Sequence, residues 1–237
     1  MMIHFSIDDV IGCFRYLKEN QSKIGSIFYL RLFSFARFLH DTYGIKVNLY
    51  CMYTDGKFML SEMPNKWRQE FRENSDWLKL GFHSFDGSSN YSAISKENFS
   101  LEYDYVLKEL IRITGSENSI AKIIRLHLFA GNKSALSILS GKGIHGLLCA
   151  DDDRGSYYLS QEIENSMKKT GTYYDSETEL TFYPTHIRIE NFTELSEDEQ
   201  NLGKISIFTH ERYFNDDLMR NRIVNIMERL KSSNFYL

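Results

Sequence analysis

Apolar and polar positions along the chain switch between a period of two and a period of three to four. Alternation over residues 2–9 predicts an opening strand. After a loop around Asn20 to Gly25, the residues Phe28, Leu32, Phe35 and Leu39 recur at the spacing of one buried helix face, and Gly44 is suited to stop that helix. Residues 47–53 are rich in β-branched and aromatic side chains and predict a second strand, closed by the Asp55-Gly56 turn. The stretch with Pro64, Trp67 and Trp77 predicts a short helix, and residues 78–84 a third strand. Residues 95–114 predict a helix with Leu107, Leu110 and Ile111 on its apolar side and Gly115 as its cap. A fourth strand is expected at 122–129 and a short helix from Asn132 to Gly141. A fifth strand at 144–150 runs into Asp151, Asp152 and Asp153. Residues 179–189 give one or two extended pieces broken at Pro184, residues 190–200 an acidic solvated loop, and residues 204–209 a last strand. The closing helix starts near Asn215 and Asp216 and buries Met219, Ile223, Met227 and Leu230.

Strand and helix thus alternate through almost the whole chain, the pattern of parallel strands joined by crossover helices. About seven strands in this length favour one α/β barrel-like domain over 1–237 rather than two small ones. Each strand of such a fold delivers its C-terminal end to one face, where the loops build the site. The tips offer Asp8 and Asp9, then His83, then Arg125 and His127, then Asp151, Asp152 and Asp153, and finally His210. Adjacent carboxylates repel, and each must be solvated, hydrogen-bonded or bound to a cation. A bare Asp-Asp reads first as a helix cap or turn. The histidines at the other tips move the reading toward an active-site pair, one carboxylate on a metal and the other moving protons.

Composition narrows the class. A net charge of −4 and no Lys/Arg run argue against nucleic acid as a partner. No apolar run approaches the length of a membrane span and no leader-like segment opens the chain, so a cytoplasmic protein is expected. Cys13, Cys51 and Cys149 are far apart and odd in number, and are expected as buried free thiols.

In these motifs the chain resembles the polysaccharide deacetylases of carbohydrate esterase family four (CE4). That resemblance implies a distorted (β/α)7 barrel of the glycoside hydrolase/deacetylase type. The family's first strand ends in Thr-Phe-Asp-Asp-Gly, matched here by Ser6-Ile7-Asp8-Asp9-Val10. By resemblance, Asp8 is the general base and Asp9 a metal ligand. The family's His-Ser/Thr-x-x-His segment is matched by His83-Ser84, its orienting arginine by Arg125, and its general-acid histidine by His210. There are two departures: Val10 replaces a glycine, and Gly87 stands where the second metal histidine is expected. A zinc-like ion needs about three protein ligands and an open position. Asp9 and His83 supply two. His127 is the first candidate for the third, as it is expected to share a strand face with Arg125; Asp86 is second and the aspartates at 151–153 third.

The implied chemistry is hydrolysis of an N-acetyl (or O-acetyl) group on a sugar or glycan precursor. A divalent metal, zinc or else cobalt or nickel, would activate a water, Asp8 would take its proton, and Arg125 would aim Asp8. His210 would protonate the departing amine. Trp77 and Tyr157 are expected to meet the acetylated sugar, with Tyr53, Trp67 and Tyr158 on nearby segments. Two other readings stay open: a non-catalytic carbohydrate-binding protein, prompted by Gly87, and a metal-independent hydrolase of a glycosidic or amide bond using Asp8 and Asp9.

Overall fold

The structure, a computed structural model, describes residues 2–192 and 203–232. Strand β1 (Met2–Val10) lies in the middle of a five-stranded parallel sheet. Its companions are β2 (Val47–Met52), β3 (Leu78–Ser84), β8 (Ile187–Arg188) and β9 (Lys204–His210), in the order β3-β2-β1-β9-β8. A second sheet has the order β4-β5-β7-β6. In it β4 (Ile123–Ile124), β5 (Gly146–Leu148) and β7 (Leu180–Tyr183) run parallel, and β6 (Tyr173–Asp175) is an antiparallel edge. Every residue of β2 is buried, as expected for a parallel strand covered on both faces.

Two seams join the sheets. At one, the Ala121 amide donates to the Leu80 carbonyl at 2.8 Å, bridging β3 to the approach of β4. At the other, β7 and β8 are a single run of chain broken by Pro184. Before the proline this run pairs with β5, and after it with β9. A residue without an N–H cannot extend one ladder, so the chain changes sheets there. Seven strand positions follow in ring order, giving the distorted (β/α)7 barrel, with its ladder interrupted at the seams.

The helices are α1 (Gly12–Glu19), α2 (Arg31–Tyr43), α3 (Arg68–Glu73), α4 (Lys96–Thr114), α5 (Lys133–Leu136), α6 (Gln161–Thr170) and α7 (Asp217–Ser232). Helix α4 has the ends its sequence encodes: Ser95 Oγ accepts from the Asn98 amide at 3.1 Å, and Gly115 closes it in the left-handed region. Met219, Ile223, Met227 and Leu230 of α7 are buried as expected. Cys13, Cys51 and Cys149 are buried free thiols. Among the described residues, no helix is long and apolar enough to cross a membrane.

Several elements differ from the sequence reading. Helix α1 begins straight after β1, because Cys13, Phe14 and Leu17 are themselves a buried face. Helix α6 and strand β6 were not anticipated. The buried face of α4 is Phe99, Tyr103, Val106, Leu110 and Ile113; Leu110 lies on it as expected, while Leu107 and Ile111 pack half-buried at its margin. The fourth strand ends at Ile124, and the chain then turns, with Leu128 and Phe129 at φ 59° and 54°. His127 therefore does not share a strand face with Arg125. Of the acidic stretch, residues 193–200 lie outside the described residues, and Glu190 is not in a solvated loop.

Gly146 tests the packing of the second sheet. A Cβ there would lie 2.7 Å from the Thr181 carbonyl oxygen and 2.5 Å from the Tyr183 ring. Gly146→Ala is expected to cost about 1–3 kcal/mol in denaturant titration. Gly141, which has open space around it, serves as the neutral control.

Candidate active site

Adjacent residues of a regular strand point to opposite faces, so Asp8 and Asp9 need a device to reach one site. The strand provides a bulge. Along β1 the register with β2 passes from Ile7↔Leu49 to Val10↔Cys51, so β1 carries one extra residue, and Asp9 is left-handed at φ 59°. A bulge re-aims a side chain and is common beside active sites. Asp8 stays on the face of Ser6, turned toward the second sheet, while Asp9 swings toward the tip of β3.

Asp8 and Arg125 form a buried ion pair, 2% and 1% exposed. Arg125 Nη1 donates to both Asp8 oxygens at 3.1 Å and to Ser6 Oγ at 2.9 Å. Its Nη2 donates to Thr185 Oγ1 at 2.9 Å, and the Thr185 hydroxyl donates in turn to the Cys149 carbonyl. The guanidinium stacks 4.1 Å from the centroid of Phe208. One side chain thus links β1, β5, β9 and the Pro184 seam.

Asp9 is the electrostatic centre. His83 Nε2 lies 3.2 Å from Asp9 Oδ1, and Arg212 Nη1 lies 3.0 Å from Oδ2. Burial disfavours the Asp9 charge, but the His83 hydrogen bond and the imidazoles of His83, His210 and His127 outweigh it and pull the pKa down to about 2. Burial also opposes a charged His83, yet Asp9 and Asp8 raise its pKa above 6.5. His83 Nδ1 donates to the Arg125 carbonyl at 2.7 Å, which leaves Nε2 facing Asp9. His127 is fixed in the same manner, its Nδ1 donating to the Ser89 carbonyl at 3.0 Å, and its ring centroid is 5.6 Å from that of His83.

The donor chemistry of Asp9, His83 and His127 fits a divalent cation: one carboxylate and two imidazoles whose other nitrogen is already tied to a carbonyl. The spacing is not closed. Among the described residues, no three His, Cys, Asp or Glu side chains are gathered into a metal-holding group. The other candidates are engaged elsewhere. Asp86 Oδ1 accepts from Ser88 and Ser89, Asp151 pairs with Arg188, Asp152 with Arg154, and Asp153 with Lys168.

His210 stands beside Asp8 across the β1–β9 ladder. Its Nδ1 donates to Glu190 Oε1 at 3.0 Å, and the same oxygen accepts from Thr209 Oγ1 and the His210 amide. Glu190 therefore fixes the ring with Nε2 outward. Its place at the end of an extended run was the available signal in the sequence, masked by the acidic residues that follow. Glu211 accepts from the amides of Ile11, Gly12 and Cys13 at 2.9, 2.7 and 2.6 Å. It clamps the start of α1, and with it the left-handed turn at Asp9, to the tip of β9.

Two residues expected to meet sugar lie elsewhere. Trp77 precedes β3, at the opposite end of that strand from His83, and its buried ring stacks on His40 at 4.8 Å. Tyr157 packs on Phe182 and donates its hydroxyl to the Leu148 carbonyl at 2.8 Å. Both are apolar packing residues, the ordinary role of an aromatic. Trp67 is fully buried, and Tyr158 donates to Asp175. Tyr53 does reach the correct end, stacked on Phe85 at 4.9 Å just past the tips of β2 and β3.

No protein-family model matches the chain, and no curated protein does. Solved structures do. A mutant of BA3943, a CE4 family pseudoenzyme with restored enzymatic activity, superposes with TM-score 0.52 at 11% identity, over 96% of this chain and 63% of that one. The Bc1960 peptidoglycan N-acetylglucosamine deacetylase superposes with TM-score 0.50 at 12% identity, over 99% of this chain and 84% of that one. This is the CE4 deacetylase fold. The 4-alpha-glucanotransferase of Thermococcus litoralis is also similar, with TM-score 0.53 at 16% identity over 96% of this chain and 38% of its own. The chain spans 63% of the length of the BA3943 mutant. The CE4 fold carries both active deacetylases and wild-type BA3943, a pseudoenzyme from Bacillus anthracis, so the activity must be argued from the site.

Two predictions follow from the buried polar contacts. Arg125→Met leaves Asp8 buried without its cation and is expected to cost about 3–5 kcal/mol in urea titration. The Asp8→Leu/Arg125→Met double variant should recover most of that loss, and a single variant as stable as the parent would contradict the pairing. For Glu190, burial opposes the charge, but the hydrogen bonds from His210 and Thr209 win and hold the carboxyl below its ordinary 4.5. A depressed acid stabilises the fold above its unfolded pKa and loses that contribution as pH falls through the folded one. The stability advantage over Glu190→Gln is thus full above pH 4.5 and shrinks below it.

Proposed function

We propose that this chain is a metal-dependent hydrolase that removes acetyl groups, N-acetyl before O-acetyl, from a sugar or glycan precursor. The observation that carries this reading is Asp9 paired with His83, with His127 against the His83 ring and His210 across the ladder from Asp8, a second carboxylate held by a buried arginine. Asp9, His83 and His127 would hold a divalent ion, zinc by preference, with cobalt or nickel as substitutes. Such an ion lowers the pKa of water and polarises a carbonyl. His127 takes the part of the histidine that Gly87 lacks, from a different strand tip.

The chain's own residues supply the proton transfers. Asp8 removes the proton of the attacking water, and Arg125 holds its carboxylate in one orientation through Nη1. His210 delivers a proton to the departing amine from Nε2, because Glu190 engages Nδ1. Tyr53 and Phe85 offer a stacked pair at the rim against which a sugar ring can pack. The substrate assigned is a cytoplasmic precursor, and activity confined to extracellular polymer would contradict that part. The open spacing of the three metal donors favours one second reading, a CE4-like protein that binds acetylated sugar without turning it over.

Metal content and acetate release distinguish the readings. The purified protein is expected to hold one zinc per chain and to release acetate from N-acetylated oligosaccharides. His83→Ala should lose both. His127→Ala should weaken metal binding by more than the roughly 10–100-fold typical of removing an outer partner. Gly87→His, at a position with open space around its Cβ, should restore binding in the His127→Ala background. A metal-free protein that binds acetylated sugar supports the second reading, and turnover indifferent to chelator overturns both.

A further inference from the structure

A groove of about 670 Å³ opens beside Asp9, within the roughly 300–1,000 Å³ range of small-molecule sites. Three arginines line it, Arg15, Arg31 and Arg212, and so do two tyrosines, Tyr16 and Tyr29, which are 53% and 74% exposed. The acids of the groove are already engaged. Asp55 pairs with Arg15 and also accepts from the amides of Lys57 and Phe58. Glu211 is taken up by three backbone amides, and Asp9 faces His83 and Arg212. Arg31, exposed at the first position of α2, has no carboxylate partner among the described residues. Arg212 uses one N–H on Asp9, and its side chain is 59% exposed, so further donors face solvent. The groove therefore presents one guanidinium without a carboxylate partner, Arg31, and two open aromatic faces next to the reaction centre.

We propose that this groove receives a negatively charged sugar unit, joined to the unit that carries the acetyl group; this rests on the acetyl-hydrolase reading above. A carboxylate or a phosphate on that unit meets the Arg31 guanidinium, whose planar fork matches either anion with two parallel hydrogen bonds. Tyr16 and Tyr29 pack against the ring, as aromatic faces do against the apolar side of a sugar. Selection then works on charge: a neutral oligosaccharide gains the stacking and leaves Arg31 without a counter-ion.

Calorimetric titration tests this without requiring turnover. The probes are neutral N,N′-diacetylchitobiose, an N-acetylhexosaminyl-hexuronic acid disaccharide, and an N-acetylhexosaminyl-hexose phosphate disaccharide. At low salt at least one charged probe should bind about tenfold or more tightly than the neutral one, which corresponds to ~1.4 kcal/mol. The preference should fade at high ionic strength and disappear in Arg31→Gln, while Arg31→Lys keeps part of it. Arg31 is exposed and lies outside the core, so the variant retains the fold. The charged probe that binds more tightly tells carboxylate from phosphate. Equal binding of all probes, no binding of either charged probe at millimolar concentration, or an unchanged preference in Arg31→Gln overturns the proposal. Acetate release is measured separately. Its absence with a preserved charge preference defeats the hydrolase reading alone, and its presence without the preference defeats the groove assignment alone.

Discussion

The buried Arg125–Asp8 pair is the constraint on which the rest of the molecule depends. A guanidinium inside a barrel is tolerable only if its charge is met, and the surrounding strands meet that charge and both terminal nitrogens, leaving Nε buried without a partner. Asp8 and Ser6 reach it from β1, Thr185 reaches it from the seam at Pro184, and Phe208 covers its face. Its backbone carbonyl also fixes the tautomer of His83. One residue therefore ties the two sheets together and aims both the proposed base and a proposed metal ligand. Stability and chemistry share the same contacts, so a variant that disturbs one disturbs the other.

The second constraint is electrostatic. Two adjacent carboxylates at a strand tip repel, and the fold answers by separating their surroundings. The bulge sends Asp8 to an arginine in the barrel and Asp9 to His83 and Arg212 at the mouth. Each carboxylate then has its own counter-charge and its own task. The Glu211 clamp holds the turn that makes this division possible, and Gly12 leaves room for it: a Cβ there would lie 3.2 Å from Glu211 Oε2.

The alternation of strand and helix, the caps of α4 and the buried stripe of α7 were legible because each rests on local chemistry: period, glycine placement and N-cap residues. Asp8, Asp9, His83, Arg125 and His210 were legible as strand-tip residues, and they converge. What escaped was set by long-range contacts. Strand β4 is two residues long because its partner β5 is short and the chain turns at Leu128, which no periodicity announces. Glu190 was hidden in an acidic run whose composition reads as solvent-facing. Trp77 and Tyr157 read as sugar-facing from residue type and segments expected near the rim, yet Trp77 sits at the opposite end of its strand and the Tyr157 hydroxyl is committed to the core. The groove arginines gave no motif at all, since Arg15, Arg31 and Arg212 are brought together only by the packing of α1, α2 and the chain after β9.

The central claim is that His127 completes a site begun by Asp9 and His83. The most direct measurement is anomalous diffraction from crystals grown with zinc, recorded on both sides of its absorption edge. The account predicts one peak at the barrel mouth, about 2.0–2.2 Å from an Asp9 carboxylate oxygen, from His83 Nε2 and from His127 Nε2. A peak there whose ligands omit His127, or the absence of any peak at saturating zinc, would contradict it.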